Sequence, residues 1–165
     1  MSRAVCPGSF DPVTHGHVDV VGRAAALFTD VVVAVGVNPS KSRLFGDEER
    51  LAMAGRACAD LPNVRVEAFE GLLTTFCEER GIAAVVKGLR GGADYDYELP
   101  MAQMNRALSG VETVFVPSRP DWAFVSSSLV KEVAGLGGDV APFVPDFVLG
   151  PLLARIAERR AGAGG

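Results

Sequence analysis

AVCPGSFDPVTHGHVDVVGRAAALF, residues 4–28, is the stretch whose reading decides the fold. It opens on a short apolar run, Ala4-Val5-Cys6, suited to a buried strand, and turns at Pro7-Gly8-Ser9-Phe10-Asp11-Pro12. An amphipathic helix is expected from about Thr14, because Val18, Val21, Ala25 and Phe28 recur at i, i+3, i+7 and i+10 on one face. That helix starts on Thr14-His15-Gly16-His17. A strand turning sharply into a helix leaves free backbone N–H groups and the positive end of the helix dipole where an anion can sit. Two histidines flanking a glycine at such a place point to nucleotide chemistry.

Working outward, residues 30–37 (DVVVAVGV) form an unbroken β-branched run, the mark of a parallel strand covered on both faces. Residues 38–42 interrupt it. A helix is expected over 47–60, with Asp47, Glu48 and Glu49 in its first turn and Leu51, Ala54, Cys58 and Leu61 facing inward. A strand at 64–68, a helix at 71–80 ended by Gly81 and a strand at 83–86 follow, then a loop over 87–92. The next helix spans 94–108, and Pro100 either begins its regular part or kinks it. A fifth strand at 113–116 leads through the loop 117–122 to a helix that starts at Ser126-Ser127-Ser128 and stops at Gly137-Gly138. Residues 144–160 are mostly helix, bent or restarted at Gly150-Pro151, and 161–165 form a frayed tail. Strand and helix thus alternate five times, the pattern of an α/β, doubly wound, five-stranded parallel sheet in a single domain over 1–165. Ligands in such sheets bind outside the carboxyl ends of the strands. The Ser9–His17 turn, Lys41, Lys87–Arg90 and Trp122–Ser128 all follow expected strands and so collect at one sheet edge.

Composition narrows the partners. The 165 residues carry 48% hydrophobic and 22% charged residues, ordinary for a globular domain with a sizeable core. A net charge of −4 argues against a nucleic-acid surface, which needs a basic face, but not against a small phosphorylated ligand. The longest apolar run, 31–37, is far too short to span a membrane. Met1-Ser2-Arg3 leads straight into the first strand without a signal-peptide pattern, so a cytoplasmic location is expected. Cys6, Cys58 and Cys77 form no CxxC pair and are read as buried small hydrophobes.

His17 is the first candidate for chemistry, since an imidazole at a helix amino terminus can donate to a phosphate oxygen. A lone histidine there is otherwise a capping side chain. Gly8 and Ser9 offer backbone and hydroxyl donors. Lys41, Lys87 and Arg90 are three cations at the same edge; singly each reads as solvated charge, and as a set they suit a polyphosphate. Three serines at 126–128 exceed the one that capping needs and can cradle phosphates. The site shows no paired catalytic carboxylates, which fits a nucleophile already ionised at neutral pH.

Thr14-His15-Gly16-His17 resembles the T/HxGH motif of the nucleotidylyltransferase superfamily, and VSSSLVKE at 125–132 resembles the ISSS motif that accompanies it in one member. With Gly88-Leu89-Arg90, Asp94, Tyr97-Glu98 and Met104-Asn105 matching a GLR…D…YE…MN pattern, the chain from about Ala4 to its last helix resembles the bacterial phosphopantetheine adenylyltransferases. The resemblance implies a Rossmann-like fold and adenylyl transfer from ATP to 4′-phosphopantetheine. The products would be dephospho-coenzyme A and pyrophosphate, within coenzyme A biosynthesis. It implies His17 and Lys41 as catalytic residues on the transferring phosphorus. ATP would be bound by Ser9, Phe10, His17, Gly88, Leu89, Arg90, Glu98 and the segment Trp122, Ala123, Phe124, Val125, Ser126, Ser127 and Ser128. The acceptor would be bound by Ser9, Lys41, Leu73 and Lys87. Ser9 stands where most members have threonine and keeps the hydroxyl. Lys87 stands where many have arginine, keeping the charge without the bidentate fork. Mg2+ held mainly by ATP and water, coenzyme A as a feedback ligand and a homohexamer are implied in the same way. No protein metal ligand is expected.

Three alternatives stay open at this level. One is an adenylyltransferase or cytidylyltransferase for another phosphorylated acceptor. Against it, the chain has AFVSSSLVKE at 123–132 where glycerol-phosphate cytidylyltransferases carry RTxGxST, and Lys131 where mononucleotide adenylyltransferases usually carry arginine. The second is a non-catalytic adenine-nucleotide sensor, and the third a purely structural module.

Overall fold

The computed structural model of the protein describes residues 2–38 and 42–163, with the backbone alone at Ala163. Five strands, β1 (Arg3–Gly8), β2 (Asp30–Gly36), β3 (Val64–Phe69), β4 (Ala84–Leu89) and β5 (Glu112–Pro117), pair in parallel in the order β3-β2-β1-β4-β5. Between them run α1 (His15–Leu27), α2 (Asp47–Ala57), α3 (Leu73–Arg80) and α4 (Gly92–Ser109); α5 (Ser127–Gly135), a 3-10 turn at Ala141–Phe143 and α6 (Asp146–Ala163) follow β5. The chain lays strands outward from β1 to β3, then crosses back to place β4 on the other side of β1. The strand order therefore reverses between β1 and β4, the place where open α/β sheets open a crevice for ligands. This is a Rossmann-like sheet, as expected.

The valine run of β2 explains the layering. Val31, Val33 and Val35 point into one apolar cluster with Ala4, Cys6 and Val86, packed against side chains of α1, α2, α5 and α6. Val32 and Ala34 point the other way, into a smaller cluster with Val5, Val85, Ile82, Val111 and Phe76 and Cys77 of α3. Period-two alternation with both faces apolar is what a parallel strand needs when helices cover both sides. Cys6, Cys58 and Cys77 are buried and unpaired. Burial, with Cys58 nearby, pushes the Cys6 thiol up to about 12.

Several boundaries differ from the sequence expectation. β4 continues through Lys87, Gly88 and Leu89, which were expected in a loop, because they pair with Phe115, Val116 and Pro117 of β5. α3 begins at Leu73 rather than 71, since Gly71 takes a left-handed φ of 81°. α4 begins at Gly92 and passes through Pro100. α6 is continuous from Asp146, with Pro151 inside it. One missing N–H removes one hydrogen bond, and the fully buried Val148 and Leu152 hold the helix on either side of it. Gly81 is left-handed at the end of α3, as its position suggested.

One residue fixes the loops at the carboxyl edge. Arg50 of α2 is fully buried and donates to the Ser9 carbonyl (2.6 Å), the Gly36 carbonyl (2.9 Å) and the Asp47 carboxylate. It thereby joins the ends of β1 and β2, whose carbonyls there have run out of sheet partners. Replacing it with alanine would strip two shielded carbonyls of their donors. Arg50→Ala is expected to lower unfolding free energy by about 3 kcal/mol, read by chemical denaturation.

Candidate active site

The turn between β1 and α1 is built around Phe10, whose φ of 49° is left-handed and rare for a side chain of that size. The ring folds back over Gly8, where a Cβ would stand 3.0 Å from the Phe10 Cε2 atom and would press the ring aside by a few tenths of an ångström. There it packs on His17, with ring centroids 4.9 Å apart. Asp11, 2% exposed, then turns inward. Its carboxylate accepts from the backbone N–H groups of Leu44 and Phe45, both at 2.9 Å, and from the Lys131 ammonium at 3.0 Å. Burial alone would push its pKa up, but these donors outweigh it and hold the carboxyl below its ordinary value.

His17 is locked by the helix cap. Thr14 accepts the His17 backbone N–H on its hydroxyl, and its own backbone N–H donates to His17 Nδ1 at 3.0 Å. A backbone N–H can only donate, so Nδ1 is an acceptor and the ring proton sits on Nε2. The ring keeps some surface open to a cavity although protein encloses it. Burial, with the Arg90 charge adding to it, pushes its pKa down to about 4. His17 is therefore a neutral, oriented hydrogen-bond donor at neutral pH. Capping and function are not alternatives here, because the cap is what aims the ring.

The cations at the end of β4 and just beyond it are paired in advance. Lys87 Nζ lies 3.1 Å from Glu98 of α4. The Arg90 guanidinium grips Asp94 at 2.9 and 3.0 Å, and the Arg90 backbone N–H adds a third bond to the same carboxylate. Asp94 and Glu98 are i and i+4 on one helical face, so α4 presents a matched acidic row to the two cations. At the start of α5, Ser126 caps the helix by accepting from the Leu129 N–H (3.1 Å), and the Ser127 hydroxyl donates to the Pro12 carbonyl (2.8 Å).

Two cavities meet over this edge. One, about 340 Å3, gathers Phe10, His17, Lys87, Gly88, Arg90, Glu98, Trp122, Val125, Ser126 and Ser127 from the expected set, together with Gly16, Asp94 and Tyr97. The other, about 630 Å3, is lined by Ser9, Leu73, Lys87 and Glu98 with Leu72, Met101, Ala102 and Asn105. The Lys87–Glu98 pair borders both. Ser9 thus lies in the second cavity and not the first, its carbonyl held by Arg50. Leu89, Ala123, Phe124 and Ser128 line neither cavity. Phe124 instead packs edge-on against Phe143, with centroids 5.4 Å apart, leaving Trp122 as the aromatic wall. Lys41 lies outside the described residues. Sequence reasoning missed the roles of Asp11, Arg50 and Asp94. Asp94 had a signal, four residues after Arg90 on a helix start; Asp11 and Arg50 had none, since their partners are distant in sequence.

The neutral ring has a measurable consequence. Carbon-bound His17 ring protons, followed by NMR through a pH series, are expected to titrate near 4 rather than near the ordinary 6.5. The unfolded chain takes up that proton first, so the stability contributed by the neutral ring is full above about 6.5 and is lost as pH falls toward 4. A midpoint near 6.5 would mean the imidazole is not shielded as described.

A family model describing cytidylyltransferase-like proteins matches residues 5–133. The chain is 64% identical over 157 residues to the phosphopantetheine adenylyltransferase of Nocardioides sp. (strain ATCC BAA-499 / JS614), covering 95% of this chain and 99% of that one. It is 57% identical over 159 residues to that of Streptomyces coelicolor (strain ATCC BAA-471 / A3(2) / M145), covering 96% and 100%. Among solved structures, the Vibrio parahaemolyticus protein assigned as a nicotinate-nucleotide adenylyltransferase superposes with a TM-score of 0.69 at 17% identity, over 94% of this chain and 95% of that one. The lipopolysaccharide core biosynthesis protein of Thermoplasma volcanium GSS1 gives 0.53 at 21% identity, over 72% and 98%. These two show the shared fold alone. A T-H-G-H helix start at the switch point of a Rossmann-like sheet, and full-length identity well above half, place this chain in the phosphopantetheine adenylyltransferase family of cytidylyltransferase-like nucleotidyltransferases.

Proposed function

We propose that this protein transfers the adenylyl group of ATP to 4′-phosphopantetheine, with dephospho-coenzyme A and pyrophosphate as products. The observation that carries the reading is the neutral His17 donor at the α1 amino terminus, at the switch point, where two cavities share the Lys87–Glu98 pair. The smaller cavity, with Trp122 as its aromatic wall and Ser126 and Ser127 at a helix start, suits ATP. The larger, with Leu72, Leu73, Met101 and Ala102, suits a pantetheine arm reaching toward Lys87.

An oxygen of the acceptor phosphate attacks the α-phosphorus in line and forms the new P–O bond. The bond from that phosphorus to the oxygen bridging to the β-phosphate breaks, and its electron pair leaves with pyrophosphate. The nucleophile is already ionised, so no general base is required. His17 Nε2–H donates to a non-bridging oxygen of the α-phosphate as charge builds there, without any change of protonation. Lys87 and Arg90 leave Glu98 and Asp94 as phosphates arrive, and Lys41 is retained as a second catalytic cation. Magnesium accompanying ATP would add charge neutralisation on the phosphates. ATP oxygens and water would hold it for the most part, as magnesium keeps most of its ligands from phosphates and solvent. The remaining expected ligands, Ser9, Phe10, Gly88, Leu89, Leu73 and the segment 122–128, stand as part of this proposal.

Coenzyme A, which shares the pantetheine arm and adenylyl group of the product, is the proposed feedback ligand of the same site. Exposed apolar side chains on α4, Met104 and Leu108 among them, suit an interface between copies; the homohexamer itself rests on the family resemblance, and sedimentation would read its size. No helix among the described residues is long and apolar enough to cross a membrane. A cytoplasmic location accords with consumption of ATP.

Pyrophosphate release with ATP and magnesium, comparing phosphopantetheine with nicotinamide mononucleotide and glycerol phosphate, tests the assignment. Release is expected with phosphopantetheine alone. Release with another acceptor would overturn the substrate, and ATP binding without release would favour a sensor. His17→Ala is expected to cost about 10²- to 10³-fold in kcat, with circular dichroism confirming that the protein stays folded.

A further inference from the structure

The wall that carries Trp122 is fastened to α1 by a group that touches neither cavity. Asp19 lies on α1 with only 10% of its side chain exposed. Its Oδ1 atom stands 3.0 Å from Arg119 Nε, an ion pair that reaches across to the connection between β5 and α5. Its Oδ2 atom stands 3.8 Å from Arg23 Nη1 and makes no hydrogen bond. That same Arg23 nitrogen donates to the Pro117 carbonyl at the end of β5 (2.5 Å). From Arg119 the fastening passes on: the Trp122 N–H bonds to the Arg119 carbonyl (2.9 Å) and the Val125 N–H to the Trp122 carbonyl (3.0 Å). The next residue, Ser126, begins α5 at the cavity. The Trp122 ring also leans on His15, with centroids 5.2 Å apart.

We propose that Asp19 and Arg119 form a latch holding the β5–α5 connection against α1, so that Trp122 and Ser126 are positioned to receive ATP before it arrives; this rests on the function proposed above. Asp19 is then a positioning residue for adenylyl transfer. An exposed ion pair contributes little, but a shielded carboxylate cannot lose its cation without being left unpaired away from water. Swinging the connection away from α1 would leave the Asp19 carboxylate with Arg23 alone, 3.8 Å away and without a hydrogen bond to it. The latch thus biases the empty enzyme toward the geometry that binds the nucleotide, and lowers the ordering cost at binding.

Trp122 is the sole tryptophan of the chain, so its fluorescence reports the connection directly. The experiment compares the full-length parent with Asp19→Asn, which keeps the volume, Arg119→Ala, the double variant and Arg119→Lys. The two single variants are expected to raise the KM for ATP about tenfold, leaving kcat and the KM for phosphopantetheine near the parent values. Acrylamide quenching of Trp122 in the nucleotide-free protein should rise alongside. The double variant should be no worse than the worse single one, and Arg119→Lys should return KM to within about twofold of the parent. A raised KM in Arg119→Ala with a parental one in Asp19→Asn would overturn the latch, because Arg119 would then be touching ATP itself. Unchanged quenching, or loss spread equally over both substrates and kcat, would overturn it too. Absence of pyrophosphate release by the parent would instead overturn the proposed function.

Discussion

The carboxylate of Asp11 is the constraint on which the edge of the sheet depends. It is shielded from water, and its ionisation is supported by two backbone N–H groups and one ammonium that come from other parts of the chain. Through it the turn after β1 is tied to residues 44–45 and to α5. Arg50 holds the same turn from below through the Ser9 carbonyl. Two shielded charges of opposite sign thus grip adjacent residues, and between them Phe10 is held in a backbone conformation it would not adopt alone. That conformation places its ring on His17. The orientation of the imidazole is therefore the last link of a chain beginning at Asp11.

Much of this was legible in the sequence, where the signal is periodic or local. The β2 valines, the alternation of strand and helix, the left-handed Gly81 and the Thr14–His17 helix start all depend on neighbours within a few residues. What escaped depends on partners far along the chain. Nothing in the local pattern marks Arg50 for a role, yet its guanidinium caps the ends of two strands. Lys87 reads as a loop cation because glycine follows it, yet pairing with β5 keeps it in a strand. The choice between Trp122 and Phe124 as the cavity's aromatic wall was equally closed to local reasoning, being made by His15 and Phe143 on opposite sides. Two of the three serines owe at least part of their presence to folding, one as a cap and one as a tie to Pro12.

The electrostatics of the cleft are balanced rather than simply basic. Lys87 on β4 and Arg90 just after it each face a carboxylate on α4, which suits a chain whose net charge is −4. A polyphosphate must therefore compete with Asp94 and Glu98, and a monovalent anion has little to gain by doing so. Discrimination for multiply charged ligands follows from that competition.

The unequal halves of the core bear on which part of the molecule yields. The larger apolar cluster binds α1, α2, α5 and α6 to one face of the sheet, while the smaller one on the opposite face rests mainly on α3. Among the described residues of α4, only Asn105 is buried, Tyr97 and Met101 border the two cavities, and Met104 and Leu108 are exposed. Within one protomer little free energy opposes local opening of such a helix, so in an unassembled chain its amides should exchange with solvent well before those of α1 or β2. The helix that carries both counter-carboxylates is then the least anchored of the long helices, and the cleft can give up its internal charge partners without disturbing the segment that aims His17.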